Sequence, residues 1–182
     1  ADPVTPRPRR RRRRRRVVLL AVAVLVAGYL TVTGVWFVAP PLGTVAHPQA
    51  VVVLGGYGNR VARGFEIALR DGAGTVAVSR PSRSWCPPGP PGVDVVCFVP
   101  DPLSTRGEAR AVARLARAHH WSRLVVVAGT TQVVRARVRL ERCFSGQLAF
   151  SGVDPSGVLS WAYEVFYDQA ALAKALVWQY GC

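Results

Sequence analysis

The chain has 182 residues, 50% of them hydrophobic, with a formal net charge of +14 and four cysteines. That composition excludes disordered, collagen-like and multi-span membrane proteins. Much of the charge and apolarity is concentrated at the N-terminus: residues 1–16 hold nine Arg against one Asp, while residues 39–182 hold fifteen basic against nine acidic groups and are long enough for one compact domain.

Residues 1–16 form an arginine-rich tail, with eight consecutive arginines from Arg9 to Arg16. Residues 17–38 follow without a formal charge, and at 1.5 Å per residue they span roughly the 30 Å hydrocarbon core of a bilayer. We expect a single-pass transmembrane helix. Flanking basic residues stay on the cytoplasmic side, so the tail is expected inside and the C-terminal domain outside the cytoplasm, at a bacterial cell membrane. The rival is a cleaved signal peptide, whose apolar region is usually about 7–15 residues and whose cleavage site is A-x-A-like, unlike Ala39-Pro40-Pro41. Arginine tracts also bind nucleic acid, but this one abuts the apolar run, where topology and anionic lipid account for it; no nucleic-acid partner is expected.

Residues 39–49 are expected to be a linker and residues 50–182 the exported α/β domain. Ala50 to Leu54 is a continuous β-branched run, the pattern of a strand buried on both faces. The turn Gly55-Gly56-Tyr57-Gly58-Asn59-Arg60 ends it, and a helix is expected over 59–71 with Val61, Phe65, Ala68 and Leu69 on its inner face. Thr75 to Ser79 is a second strand, and the proline-rich stretch 80–92 a loop. Val93 to Val99 is a third strand. The helix after it should end near His120, opened by a capping box of Thr105 and Glu108. A fourth strand is expected over 123–128, a loop over 129–132, a helix over 133–143 and a fifth strand over 147–151. A closing helix over 161–180 would turn Trp161, Val165, Leu172, Leu176 and Tyr180 to the core.

This alternation predicts a Rossmann-like three-layer sandwich with a mostly parallel sheet, in which ligands bind beyond the strand C-terminal ends. Three loops there are polar. Gly55, Gly56, Gly58 and Arg60 follow the first strand, Thr105 and Glu108 the third, and Thr130, Thr131, Gln132 and Arg135 the fourth. Backbone N–H groups, hydroxyls and guanidinium forks together make an anion site, with Glu108 the candidate general base. Neither a Walker motif, a true dinucleotide fingerprint nor a metal-ligand set is present in the sequence, and no cofactor or metal is expected. Arg106, Arg110, Arg114 and Arg117 form a basic ridge, read as a solvated face or as a contact for anionic lipid or wall polymer. Cys86, Cys97, Cys143 and Cys182 all fall on the exported side, where disulfides persist. Of three connectivities, Cys86 with Cys97 brackets the proline-rich loop and Cys143 with Cys182 ties down the last residue.

Four segments in order, V-V-V-L-G-G-Y-G-N-R at 51–60, D-G-A-G-T-V-A-V-S at 71–79, S-T-R-G-E-A at 104–109 and R-A-R at 135–137, resemble the YdcF, SanA and ElyC family of bacterial envelope domains. The likeness runs from about residue 50 to 150 and fits a membrane-anchored, actinobacterial-type member. It implies a Rossmann-like fold with a polar pocket lined by Gly55, Gly56, Arg60, Thr105, Glu108 and Arg135, and a role in envelope integrity, antibiotic exclusion or peptidoglycan assembly. Implied partners are the cytoplasmic membrane, an anionic lipid or cell-wall precursor, and envelope-assembly proteins. A cytoplasmic relative is associated with S-adenosylmethionine, a cofactor not expected outside the cytoplasm. The family commonly has His where this chain has Gln132, which hydrogen-bonds but does not titrate near neutral pH.

Overall fold

The computed structural model describes residues 8–56, 58–80 and 86–182. Tyr57, Arg7 of the arginine-rich tail and residues 81–85 of the proline-rich loop lie outside them. Helix α1 (Pro8–Thr33) runs into a π-helical turn (Gly34–Val38), and the stretch Arg11–Val38 is long and apolar enough to cross a membrane. The domain follows as β1 (Ala50–Val53), α2 (Arg60–Asp71), β2 (Thr75–Ser79), β3 (Asp94–Phe98), α3 (Thr105–Ala118), β4 (Arg123–Gly129), α4 (Val133–Glu141), β5 (Gln147–Val153) and α5 (Val158–Val177), with a 3-10 turn at Thr130–Gln132.

The five strands form one all-parallel sheet in the order β3-β2-β1-β4-β5. Strand β1 is buried throughout and its side chains alternate between two cores, as a central strand requires. Val51 and Val53 meet Ile67 and Ala68 of α2 on one face. On the other, Ala50, Val52 and Leu54 meet Val112 and Ala116 of α3 and Val133, Ala136 and Leu140 of α4. The α/β expectation therefore holds: helices cover both faces of a parallel sheet. Strand order reverses between β1 and β4, and their C-terminal ends open the crevice where such sheets bind ligands.

Several local expectations are corrected. Leu69 is exposed and Ile67 takes its place in the core. The first turn of α3 is capped one residue earlier than Thr105: Ser104 Oγ accepts the Gly107 N–H at 3.4 Å, which frees Glu108 for a contact elsewhere. A side chain at Gly107 would collide with the Pro102 carbonyl oxygen 1.9 Å from its Cβ, so the cap admits only glycine there. Helix α5 begins at Val158 and ends at Val177, with Leu176 and Tyr180 exposed rather than in the core. The expected linker, residues 39–49, is fastened to the domain. Gln49 Oε1 accepts the backbone N–H groups of Ser122 and Arg123, Arg137 donates to the Pro41 carbonyl, and Phe150 N–H donates to the Leu42 carbonyl.

The cysteines pair as Cys86–Cys97 and Cys143–Cys182. The basic ridge is split. Arg106 and Arg110 both donate to the Cys182 carbonyl oxygen, which leaves Arg114 and Arg117 as its exposed part. His119 caps the end of α3 and stacks on Trp121, with ring centroids 4.7 Å apart, as befits a helix-end residue.

Candidate functional site

The turn after β1 must bring Arg60, the first residue of α2, back toward the strand ends. Its glycines allow this: Gly56 has φ +134°, and a Cβ there would fall 2.4 Å from the Arg60 guanidinium. Arg60 Nη1 donates to the Gly55 carbonyl at 2.5 Å and to Gln132 Oε1 at 2.9 Å. Gln132 Nε2 donates in turn to Thr105 Oγ1 at 3.4 Å. One amide thus joins the loops after β1, β3 and β4. Burial lowers the pKa of Arg60, opposed by the negative fields of Glu164, Glu108 and Asp168.

Glu108 lies behind Gly55, whose N–H it accepts at 2.6 Å. It is 5% exposed and does not line the open cavity in front of that loop. Burial pushes its carboxyl above the usual range, while the Gly55 N–H, the Ser79 hydroxyl, Arg135 and Arg60 pull it back. Because the folded chain then holds this proton more tightly than the unfolded chain, the group stabilises the fold below the ordinary carboxyl range, and that contribution is lost as pH rises through the raised value. Glu108→Gln fixes the neutral form. The unfolding free energy of wild type relative to Glu108→Gln is therefore expected to fall as pH rises above the ordinary carboxyl range, measured by urea titration; parallel stabilities of the two proteins there would show that Glu108 titrates as it does in the unfolded chain.

The front wall comes from α5, and sequence reasoning missed it. Asp168 accepts the Thr131 hydroxyl at 2.6 Å and pairs with Arg135 Nη2 at 2.8 Å, with both side chains largely buried. Glu164 Oε2 lies 3.3 Å from Thr131 Oγ1, and the Arg135 guanidinium sits over the Tyr167 ring at 5.6 Å. Two carboxylates four residues apart in an otherwise apolar helix were the available signal, since the spacing puts both on one face.

A cavity of about 350 Å³ lies between these parts, lined by Gly55, Gly56, Arg60, Gln132, Arg135, Tyr163, Glu164, Tyr167 and Asp168. A second, of about 570 Å³, shares Arg60, Tyr163 and Glu164 with it and adds Gly58, Asp154 and Leu159. Of the residues expected in the site, Gly55, Gly56, Gly58, Arg60, Gln132 and Arg135 line these cavities. Thr105, Thr131 and Glu108 stand behind the wall and brace it. Thr130 is itself buried and lines neither cavity, its hydroxyl donating to Asp154 in the wall of the second. The cluster of Arg60 and Arg135 with Glu108, Glu164 and Asp168 holds two cations and three carboxyl groups, so it is internally compensated, where the loops alone predict the two guanidiniums with the single carboxyl group of Glu108.

Arg60 spends only Nη1 on the protein and Arg135 only Nη2, and the Nε–H of each is buried without an acceptor. Unused guanidinium donors beside tyrosines and a carboxylate suit a ligand carrying both an anionic group and hydroxyls. In comparisons with protein-family models, curated proteins and solved structures, the chain matches none, and the site stands on this geometry.

Proposed function

We propose that the chain is a single-pass, membrane-anchored extracytoplasmic domain of the bacterial cell envelope, acting in envelope biogenesis or permeability. Its strand-end crevice binds a phosphorylated cell-wall or lipid-carrier ligand. The observation that carries this reading is the convergence of Arg60 and Arg135, from the loops after β1 and β4, on one open cavity at the strand-order reversal. Tyr163, Tyr167 and Glu164 supply the aromatic faces and acceptor that a saccharide attached to that phosphate would need. The paired cysteines suit an exported domain, and the resemblance to the YdcF, SanA and ElyC segments supports an envelope role.

The test is a thermal shift of the full chain in detergent against isoprenyl phosphates and sugar nucleotides, with S-adenosylmethionine as a comparison. A ligand at a hundred times its Kd is expected to stabilise by about 2.7 kcal/mol. Arg60→Lys and Arg135→Lys keep the charge but lose the fork, and both are expected to weaken the shift. No shift with any phosphorylated ligand from a folded sample would turn attention to envelope-assembly partners.

A second reading, hydrolysis or group transfer on the same ligand, is favoured by the carboxylate that faces the cavity. Glu164 lines it, whereas Glu108 stands behind Gly55. A general base must reach the proton it abstracts. Loss of turnover with binding retained in Glu164→Gln, but not in Glu108→Gln, would assign the chemistry to α5.

A further inference from the structure

Helix α5 is amphipathic the wrong way round for a helix in water. Its acidic groups, Glu164 and Asp168, turn toward the site, while its outward face carries Leu159, Tyr163, Phe166 and Val177. Leu159 is 87% exposed, Tyr163 69% and Phe166 66%, and Trp178 and Tyr180 continue the apolar surface past the helix end. Lys174 is the single charged residue exposed along this helix. Surface helices of soluble domains put the polar face outward, and a contiguous exposed apolar face marks an interaction surface.

What covers this face is indicated by its neighbour. Gln169 of α5 accepts a hydrogen bond from Tyr29 Oη at 3.1 Å and donates to Thr33 Oγ1 at 3.0 Å, both on the apolar helix α1. Both bonds fall on one residue, so the helices meet at one place instead of running together. From Val17 to Thr33 the rise is about 24 Å, which leaves Thr33 roughly 6 Å short of the far boundary of a 30 Å hydrocarbon core. Interfacial helices bury their apolar faces to about that depth, roughly 5–10 Å. Aromatic residues at the helix end, Trp178 and Tyr180, together with Trp36 on the π-helical turn, match the composition of a membrane–water interface.

We propose that α5 is an interfacial membrane helix whose outward face, Leu159, Phe166 and Val177, lies in the lipid on the side where the domain emerges, with Tyr163 at its cavity edge. The inference rests on α1 crossing the bilayer and is independent of any ligand. It sets the strand-end cavities, walled by Leu159 and Tyr163, at headgroup level. A phosphorylated amphiphile would then reach Arg60 without leaving the membrane.

The full chain, reconstituted in phosphatidylglycerol–phosphatidylethanolamine vesicles containing a phospholipid with a diazirine near its acyl carbonyl, tests this by irradiation and mass-spectrometric mapping. Adducts are expected on α1 and on the α5 positions Leu159, Phe166 and Val177, and not on Leu69, an exposed leucine of α2. Leu159→Glu with Phe166→Glu should abolish the α5 adducts while those on α1 persist. Adducts on α1 with α5 left unlabelled overturn the proposal. Absence of adducts on α1 itself would overturn the anchoring on which it rests, a result distinct from the first.

Discussion

Arg135→Ala is expected to destabilise the folded chain by about 3–5 kcal/mol, the cost of leaving a buried charge without its partner. Asp168 is 3% exposed, and its Oδ1 has the Arg135 guanidinium as its ionic neighbour and no aligned hydrogen bond. Removing Arg135 leaves that oxygen desolvated and brings the carboxyl groups of Glu108, Glu164 and Asp168 under the field of Arg60 alone. Replacing both members of the pair behaves differently. Arg135→Met with Asp168→Leu removes the charges together, and the Thr131 hydroxyl has Glu164 Oε2 at 3.3 Å as a second acceptor. The double variant is expected to cost less than half of the single one. A double-mutant cycle by urea unfolding measures this. Additive costs would mean that Asp168 is held by Thr131 and that the ion pair contributes nothing to the fold.

The same pair shows where the sequence is legible and where it is not. Each strand of the sheet was expected within two residues of its observed limits, because the central strands, buried on both faces, and the half-buried edge strands alike are apolar runs bounded by turn residues. The loops after β1 and β4 followed from the topology, and with them Gly55, Arg60, Gln132 and Arg135. Helix α5 was expected, with Leu172 in the core, but its place in the site was not. It is apolar around most of its circumference, so periodicity selects no inner face, and Leu176 and Tyr180 were turned inward on hydrophobicity alone. Its true inner face is chosen by Glu164 and Asp168, whose partners Thr131 and Arg135 lie 33 residues away in the chain. Capping chemistry misled in a smaller way. Ser104 and Thr105 are both competent caps, and only the fold shows that Ser104 takes the cap while Glu108 turns to Gly55.

The disulfides give the other large effect. Cys143–Cys182 closes a loop with a sequence separation of 39 and Cys86–Cys97 one of 11. Chain-entropy arguments give about 4 kcal/mol for the first and about 3 kcal/mol for the second. The longer bridge also holds more structure. It brings the end of the described chain against α3 and α4, where Arg106 and Arg110 meet the Cys182 carbonyl and Arg139 and Arg142 donate to the Gln179 carbonyl. Arg106 and Arg142 lie close enough to Arg139 to act on it, and its pKa is lowered by burial and by the charges of Arg142, Arg106 and Arg135. Without the covalent tie the backbone carbonyls that satisfy them are free to leave, after which the like charges repel unopposed. Cys143→Ser with Cys182→Ser is therefore expected to lose at least the 4 kcal/mol of loop closure, and to become more sensitive to low salt than wild type. Cys86→Ser with Cys97→Ser should lose less and show no added salt dependence. Urea unfolding of both double variants at two ionic strengths decides the matter: equal losses with no salt effect would reduce the longer bridge to its loop entropy and assign the arginine contacts no stabilising part.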